Sequence, residues 1–361
     1  MKATIWLVLL SALLAPVPAT AITLEAADSR VSILGYMDLQ YSFMERLPTC
    51  STGCPTITST PVVSSLDSSR ANLILRVDRE QMRAAVNLFS GNGYQSDGSG
   101  SQGRFEVMEA YGEYRHGPGL ILRGGTFLAP FGIYNEIRYA ISLFAPVVLS
   151  TAYEPLPDYA ASGGLPHLVP DAANGMVSGA LGAGALDYAL YVGSGERQAS
   201  GMDENRDKAV GGRLQWHPSK SLSLGASAYT ANDDPLGTTI HGRRRHGMLS
   251  LDWHPGNTTV QWEYLRVTCA ADTVNAHSQY LRVSHRIGRV TPFVGYDHFQ
   301  DRPNPLYADG MARWSAGTGI EVSPNVYLKA EYHYHHFETA AVAAAGLDRA
   351  QMVRLAAIVV F

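Results

Sequence analysis

The sequence predicts an all-β protein, a 16-stranded antiparallel transmembrane β-barrel with a long inward-folded third external loop, and three observations predict it. The first is the C-terminal stretch 352–361. There Val353, Leu355, Ala357 and Val359 are apolar at every second position, Arg354 stands on the other face, and the stretch reaches an aromatic residue at Phe361. A tilted strand needs about 9 to 11 residues to cross a bilayer, with one face in hydrocarbon and the other toward water. The second is that segments of this kind recur along the chain, separated by joints that are alternately short and long. The third is an export signal at the other end. Lys2, an apolar run over 5–15, Pro16 and Pro18, and Ala19-Thr20-Ala21 read as a cleavable leader over residues 1–21. Residues 22–361 are then the barrel domain, expected in the cell outer membrane.

Composition agrees and excludes other classes. No stretch after the leader reaches the roughly 18 uninterrupted apolar residues of a spanning helix. The mean hydropathy of −0.06 suits strands with one face on an aqueous lumen. Removing Lys2 with the leader leaves 27 basic residues against 32 acidic ones, so nothing points to nucleic acid. Cys50 and Cys54, in Cys-Ser-Thr-Gly-Cys flanked by Pro48, Pro55 and Pro61, are expected to form a short loop disulfide in an oxidising compartment, leaving Cys269 over.

The alternation places strands at 30–44, 69–79, 83–91, 105–115, 119–130, 174–182, 185–195, 207–217, 221–231, 244–254, 258–268, 277–286, 289–299, 312–322, 326–337 and 351–361. Short joints carry turn residues, as in Gly117-Pro118-Gly119, His254-Pro255-Gly256-Asn257 and Ser323-Pro324-Asn325. The other joints, such as 91–104, 195–207 and 231–242, are long and polar, the arrangement of an outer-membrane barrel. An even strand count puts both ends in the periplasm. Faces follow from parity: Leu73, Leu75 and Val77 oppose Asn72, Arg76 and Asp78, and Val210, Leu214 and Trp216 oppose Arg213 and Gln215. Likewise Leu328, Ala330, Tyr332 and Tyr334 oppose Lys329, Glu331, His333 and His335. Aromatics near strand ends, among them Tyr41, Tyr114, Trp216, Trp253, Trp262, Trp314 and Tyr334, suit interfacial girdles.

One joint, 131–173, is far longer than the rest. Structureless loops of that length tend to be functional or disordered, and this one carries Ile133, Tyr134, Ile137, Tyr139, Leu143, Phe144 and Tyr153, too apolar to stay in water. It is expected to fold into the bore. It is preceded by Gly125-Thr126-Phe127-Leu128-Ala129-Pro130-Phe131-Gly132, in which Pro130 lacks the N–H that ladder pairing needs and Gly132 allows a sharp turn. This motif resembles the Gly-x-Phe-x-x-Pro-Phe-Gly signature of the phosphate-selective porin O/P-like family. The resemblance implies a water-filled outer-membrane channel for passive diffusion of small hydrophilic solutes or ions, anions such as phosphate included. Phosphate-binding members of that family are associated with clustered lumen lysines, from which this sequence departs.

The expected lumen set is nearly balanced: Arg76, Arg115, Arg123, Arg213, Arg282, Arg286, Lys329 and Arg354 against Asp38, Asp78, Glu109, Glu113, Asp187, Asp252, Glu263, Asp297, Glu321 and Glu331. Rings of charge set pore selectivity through the local field. The constriction candidates are Arg76, Arg123, Arg213 and Arg282 facing the loop acids Glu136, Glu154 and Asp158. His333 and His335 stand on one strand face, but no third ligand is fixed by spacing, so no metal is assigned. Gly242-Arg243-Arg244-Arg245-His246 reads as an external loop facing anionic lipopolysaccharide or solvent. No Gly-x-Ser-x-Gly or His-Glu-x-x-His motif points to an enzyme, and no cofactor is expected. The expected surroundings are outer-membrane lipid and lipopolysaccharide, with a homotrimer as the natural assembly. The alternatives are a scaffold barrel sheathing a periplasmic electron-transfer partner, and a surface receptor or adhesin barrel.

Overall fold

Successive residues of one strand part to opposite sides of a wall: Leu249 is 53% exposed while Ser250 beside it is 9%. That alternation runs round the molecule. The structure is a computed structural model that describes residues 22–26, 28–50, 57–59, 62–66, 70–91, 106–140, 148–153, 168–170, 172–194, 208–233, 242–269, 274–304 and 306–361. Its wall consists of sixteen strands, here numbered β1 Ser29–Met44, β2 Arg70–Arg79, β3 Met82–Gly91, β4 Glu106–Arg115, β5 Ile121–Leu128, β6 Ala172–Leu181, β7 Leu186–Gly193 and β8 Ala209–Ser219 in the first half. The second half comprises β9 Leu222–Asp233, β10 Gly242–Trp253, β11 Thr258–Cys269, β12 Asn275–His285, β13 Val290–Asp301, β14 Met311–Ser323, β15 Val326–Phe337 and β16 Arg349–Val360. Each observed boundary lies within two residues of the expected one.

Every strand pairs antiparallel with its neighbours in the chain, and β1 pairs with both β2 and β16, in registers such as Asp38↔Arg70 and Leu39↔Ala357. The ladder therefore has no open edge along the wall, which is the condition for crossing a bilayer with strands. Outward positions carry Leu75, Leu214, Leu249, Leu328 and Leu355, each exposed by more than a third. An apolar belt of that extent is stable only against lipid. Trp216 and Trp253, toward one end of their strands, and Trp314, toward the opposite end, are likewise turned outward and exposed.

The short turns gather at one rim. Several use left-handed backbone, at Glu80, Gly117, Gly182, Gly256 and Gly288 among others. Four short strands go beyond the sixteen of the wall. Ile22–Ala26 pairs with the first residues of β1, Val63–Ser65 pairs with its last, and Pro48–Cys50 pairs with Ile57–Ser59 in a small hairpin of the first long loop. A short helix, α1 (Ala340–Ala344), caps the last long loop. The stretch Gly242–His246, expected as an external loop, opens β10 instead, because its alternation is continuous with the strand. The leader 1–21, Cys54, Glu154 and Asp158 lie outside the described residues.

Candidate functional site

The third long loop leaves the wall through a local irregularity in β5. Gly124 pairs with Gly175 and Phe127 with Ala173, so β5 carries one residue more than β6 across the same interval. Such a bulge bends the strand, and Gly125 sits in it at φ 124°. Pairing ends at Leu128, two residues before Pro130, and the chain then turns at Gly132 with φ 63°. A Cβ at Gly132 would stand 2.2 Å from the Tyr153 hydroxyl and 2.5 Å from Oε1 of Glu263. Phe127 and Phe131 are fully buried beside this turn. The octapeptide thus works as a bend whose members are buried or conformationally special.

The described parts of the loop lie against the lumenal face of β9 to β15. Lumenal carboxylates hold its backbone: the Ile133 N–H donates to Glu263 (2.6 Å), the Thr151 N–H to Asp297 (2.7 Å) and the Val148 N–H to Glu331 (3.2 Å). Side chains add to this. The Tyr153 hydroxyl donates to Glu263 at 2.8 Å, the Thr151 hydroxyl to Asp297 at 2.7 Å, and the Tyr134 hydroxyl donates to Gln261. From the wall, Arg313 donates to the Leu149 carbonyl at 2.5 Å and pairs with Asp297 at 2.6 Å, while His246 meets the Leu168 carbonyl at 2.8 Å. Asn135 closes the loop on itself, donating to the Ala129 and Pro170 carbonyls, each at 2.8 Å. Hydrogen bonds to charged groups contribute about 1.5–3 kcal/mol each, and Phe131, Tyr134, Leu149, Tyr153 and Leu168 bury their side chains in the same interface.

Burial also keeps the two loop tyrosines protonated. The Tyr134 hydroxyl is pushed up to about 12 by desolvation. Tyr153 is raised well above its ordinary value by burial first and the adjoining Glu263 charge second. Both remain donors at neutral pH.

The four arginines expected together divide into two groups. Arg213 and Arg282 stand at the loop: Arg213 pairs with Glu136 at 2.7 Å and donates to the Gly132 carbonyl at 3.2 Å, while Arg282 donates to Gln261 and lies 5.5 Å from the centre of the Tyr134 ring. Arg76 and Arg123 stand on the other wall, toward the short-turn rim. Cross-strand register aligns Asp78, Arg83, Glu113 and Arg123 in one row across β2 to β5, alternating in sign. Asp78 accepts from Nε of Arg76 and of Arg83, both at 2.6 Å, and Glu113 from Arg115 at 2.5 Å and Arg123 at 2.8 Å. Arg123 is flattened 4.4 Å above the Tyr111 ring. The two carboxylates are thus each shared by two guanidinium groups, and with Arg76 and Arg115 counted the cluster holds four arginines against two carboxylates. His333 is engaged by Ser315 at 2.7 Å and Glu331 at 3.2 Å.

Arg83, Arg244 and Arg313 are lumenal cations missing from the expected set. Parity would have found Arg313, next to the outward Trp314, and Arg244, between two exposed arginines. The partnership of Asp297 and Glu331 with loop backbone is visible only in three dimensions.

Comparison with solved structures places this architecture. The anion-selective porin from Comamonas acidovorans superposes with a TM-score of 0.62 at 14% identity, over 92% of this chain and 100% of the other. The chain has the porin fold. Salmonella typhi OmpF aligns with a TM-score of 0.68 at 8% identity, over 94% of this chain and 100% of its own. The outer-membrane channel DcaP of Acinetobacter baumannii gives 0.57 at 11% identity, over 93% and 99%. No protein-family model matches the sequence, and a search of curated proteins gives no significant match.

Proposed function

We propose that this porin-fold barrel is an outer-membrane channel, with a water-filled bore narrowed by the third external loop, for passive diffusion of small hydrophilic solutes and ions. The observation that carries the reading is the fastening of the loop by Glu263, Asp297 and Glu331 on the alternate strands β11, β13 and β15. Wall carboxylates are consumed in holding the loop, whereas among the described residues Arg76, Arg83 and Arg115 each engage a carboxylate side chain through Nε alone. Their outer nitrogens are left to meet solutes, so the field favours anions, with phosphate a candidate consistent with the 125–132 motif. Solutes must bind weakly enough to leave, and no bond is made or broken. The similarity of fold to outer-membrane porins supports the location, and the export signal 1–21 supplies the route. A homotrimer is part of the proposal; one structural neighbour, Vibrio cholerae OmpT, is described in a trimer form. A Cys50–Cys54 disulfide completes it, and the Pro48–Cys50 and Ile57–Ser59 pairing brackets that segment.

Single-channel recording of the refolded chain in planar bilayers tests this. Stable open steps are expected. A silent bilayer would favour a sheathing scaffold or a surface receptor. In a salt gradient, the triple exchange Arg76→Glu, Arg83→Glu and Arg115→Glu should move the reversal potential toward cations, and an unmoved potential discards the arginine assignment.

A further inference from the structure

The segment Gly242–His246 divides its charge between the two sides of the wall. Arg244 and His246 point into the bore and are buried, His246 against the loop carbonyl of Leu168. Arg243 and Arg245 point the other way, on the exposed face that continues downward through Gly247 to Leu249 and Trp253. On the neighbouring strand, Arg266 shares that outer face, directly across from Gly247 and one diagonal step from Arg245, whose own partner is Thr268. Three guanidinium groups therefore cluster on the outside of β10 and β11. Two of them have neutral partners: Arg243 donates to the Thr230 hydroxyl at 3.0 Å, and Arg266 to the Asn275 side chain at 2.6 Å. Among the described residues, no ion pair joins any of the three to a carboxylate.

Height decides what such a cluster meets. From Trp253 to Arg245 is eight strand residues, which at about 3.4 Å each and a tilt near 40° is roughly 20 Å along the membrane normal. The lipid-facing band of such barrels is about 25 Å tall. Arg245 and Arg266 thus stand at the outer edge of the hydrocarbon, on the side of the long loops, where lipid headgroups begin. Arginines at that depth with no carboxylate partner among the described residues match phosphate oxygens, which planar guanidinium groups bind in pairs of parallel hydrogen bonds.

We propose that Arg243, Arg245 and Arg266 form a docking site for the phosphorylated sugar headgroup of an outer-leaflet glycolipid, its acyl chains lying along Leu249, Leu251 and Trp262. This rests on the outer-membrane reading above. The outer face of β10 and β11 is a lipid-binding surface independent of the bore, so loss of the site leaves conduction intact.

The test uses the full refolded barrel in detergent and purified lipopolysaccharide as the probe, with binding followed by native mass spectrometry. Wild type should hold lipopolysaccharide, and the triple variant Arg243→Gln, Arg245→Gln, Arg266→Gln should lose at least about tenfold in affinity. Enzymatically dephosphorylated lipopolysaccharide should bind wild type as weakly as the intact lipid binds the triple variant, and millimolar inorganic phosphate should leave the lipid in place. Each single exchange should give an intermediate loss, so the proposal stays testable if the triple variant folds poorly. Affinity within twofold of wild type for the triple variant, or undiminished binding of the dephosphorylated lipid, overturns the site. Shifted gel mobility on boiling and unchanged single-channel steps report separately on the barrel and the channel, so a failed site and a failed channel reading give different results.

Discussion

The ring of Phe361 lies directly over the α-carbon of Gly35. A Cβ at Gly35 would stand 2.5 Å from Cε2 of that ring, and the two residues exchange backbone hydrogen bonds, Gly35 N–H to the Phe361 carbonyl at 2.8 Å and Phe361 N–H to the Gly35 carbonyl at 2.9 Å. Here the last residue of the chain is stitched to the first wall strand. Gly35→Val should force the ring aside and destabilise the barrel by about 1–3 kcal/mol, seen as a lower temperature of conversion between the folded and unfolded gel bands. Combined with Phe361→Ala the penalty should shrink, because the clash has gone; a fully additive pair would refute the contact.

Gly132→Ala should act on the loop alone. The substitution combines a left-handed backbone with a clash against Tyr153 and Glu263, so the loop cannot keep its place while the wall can. Larger or noisier single-channel steps are expected, with unaltered melting of the wall by circular dichroism. Steps identical to wild type would mean that the loop does not limit the passage.

Glu263 accepts from the Ile133 backbone and from the Tyr153 hydroxyl. Glu263→Leu strands both donors in a buried place, at about 1–3 kcal/mol for each. Proteolysis within the loop should become faster in the variant than in wild type. Tyr153→Phe removes one donor only and should have a smaller effect.

Alkali should release the loop late. Tyr134, protonated in the folded chain up to about 12, ionises near 10 once exposed. Its raised value means that the stabilisation is complete below about 10 and is lost as pH climbs through the folded value. Conductance is expected to stay constant from neutral pH to about 9 and to change above 10, and Tyr134→Phe should abolish the alkaline step. A change centred near neutrality would contradict this.

Much of the architecture was legible because a barrel wall is written locally. Period-two alternation in stretches such as 326–337 and 242–253 needs only neighbouring residues, so both strand limits and inward faces follow. Turn residues such as Gly117 and Gly256 mark the short rim for the same reason: left-handed backbone is a local demand. The bend at 125–132 was also readable, since proline and glycine act through their own backbones.

What alternation leaves open is which height and which wall an inward residue occupies. Arg76 and Arg123 face inward as Arg213 and Arg282 do, yet ring position carries the first pair to the charged cluster of Asp78, Arg83 and Glu113 and the second to the loop. Glu331 and Val148, 183 residues apart, meet only because the ring closes and the loop folds back through it. By itself the sequence determined a sixteen-stranded wall, its greasy and wet faces, and the place where the chain leaves it. Tertiary structure alone decided which carboxylates hold the loop and which arginines share Asp78 and Glu113, because ion pairing depends on distances that ring closure and strand stagger set.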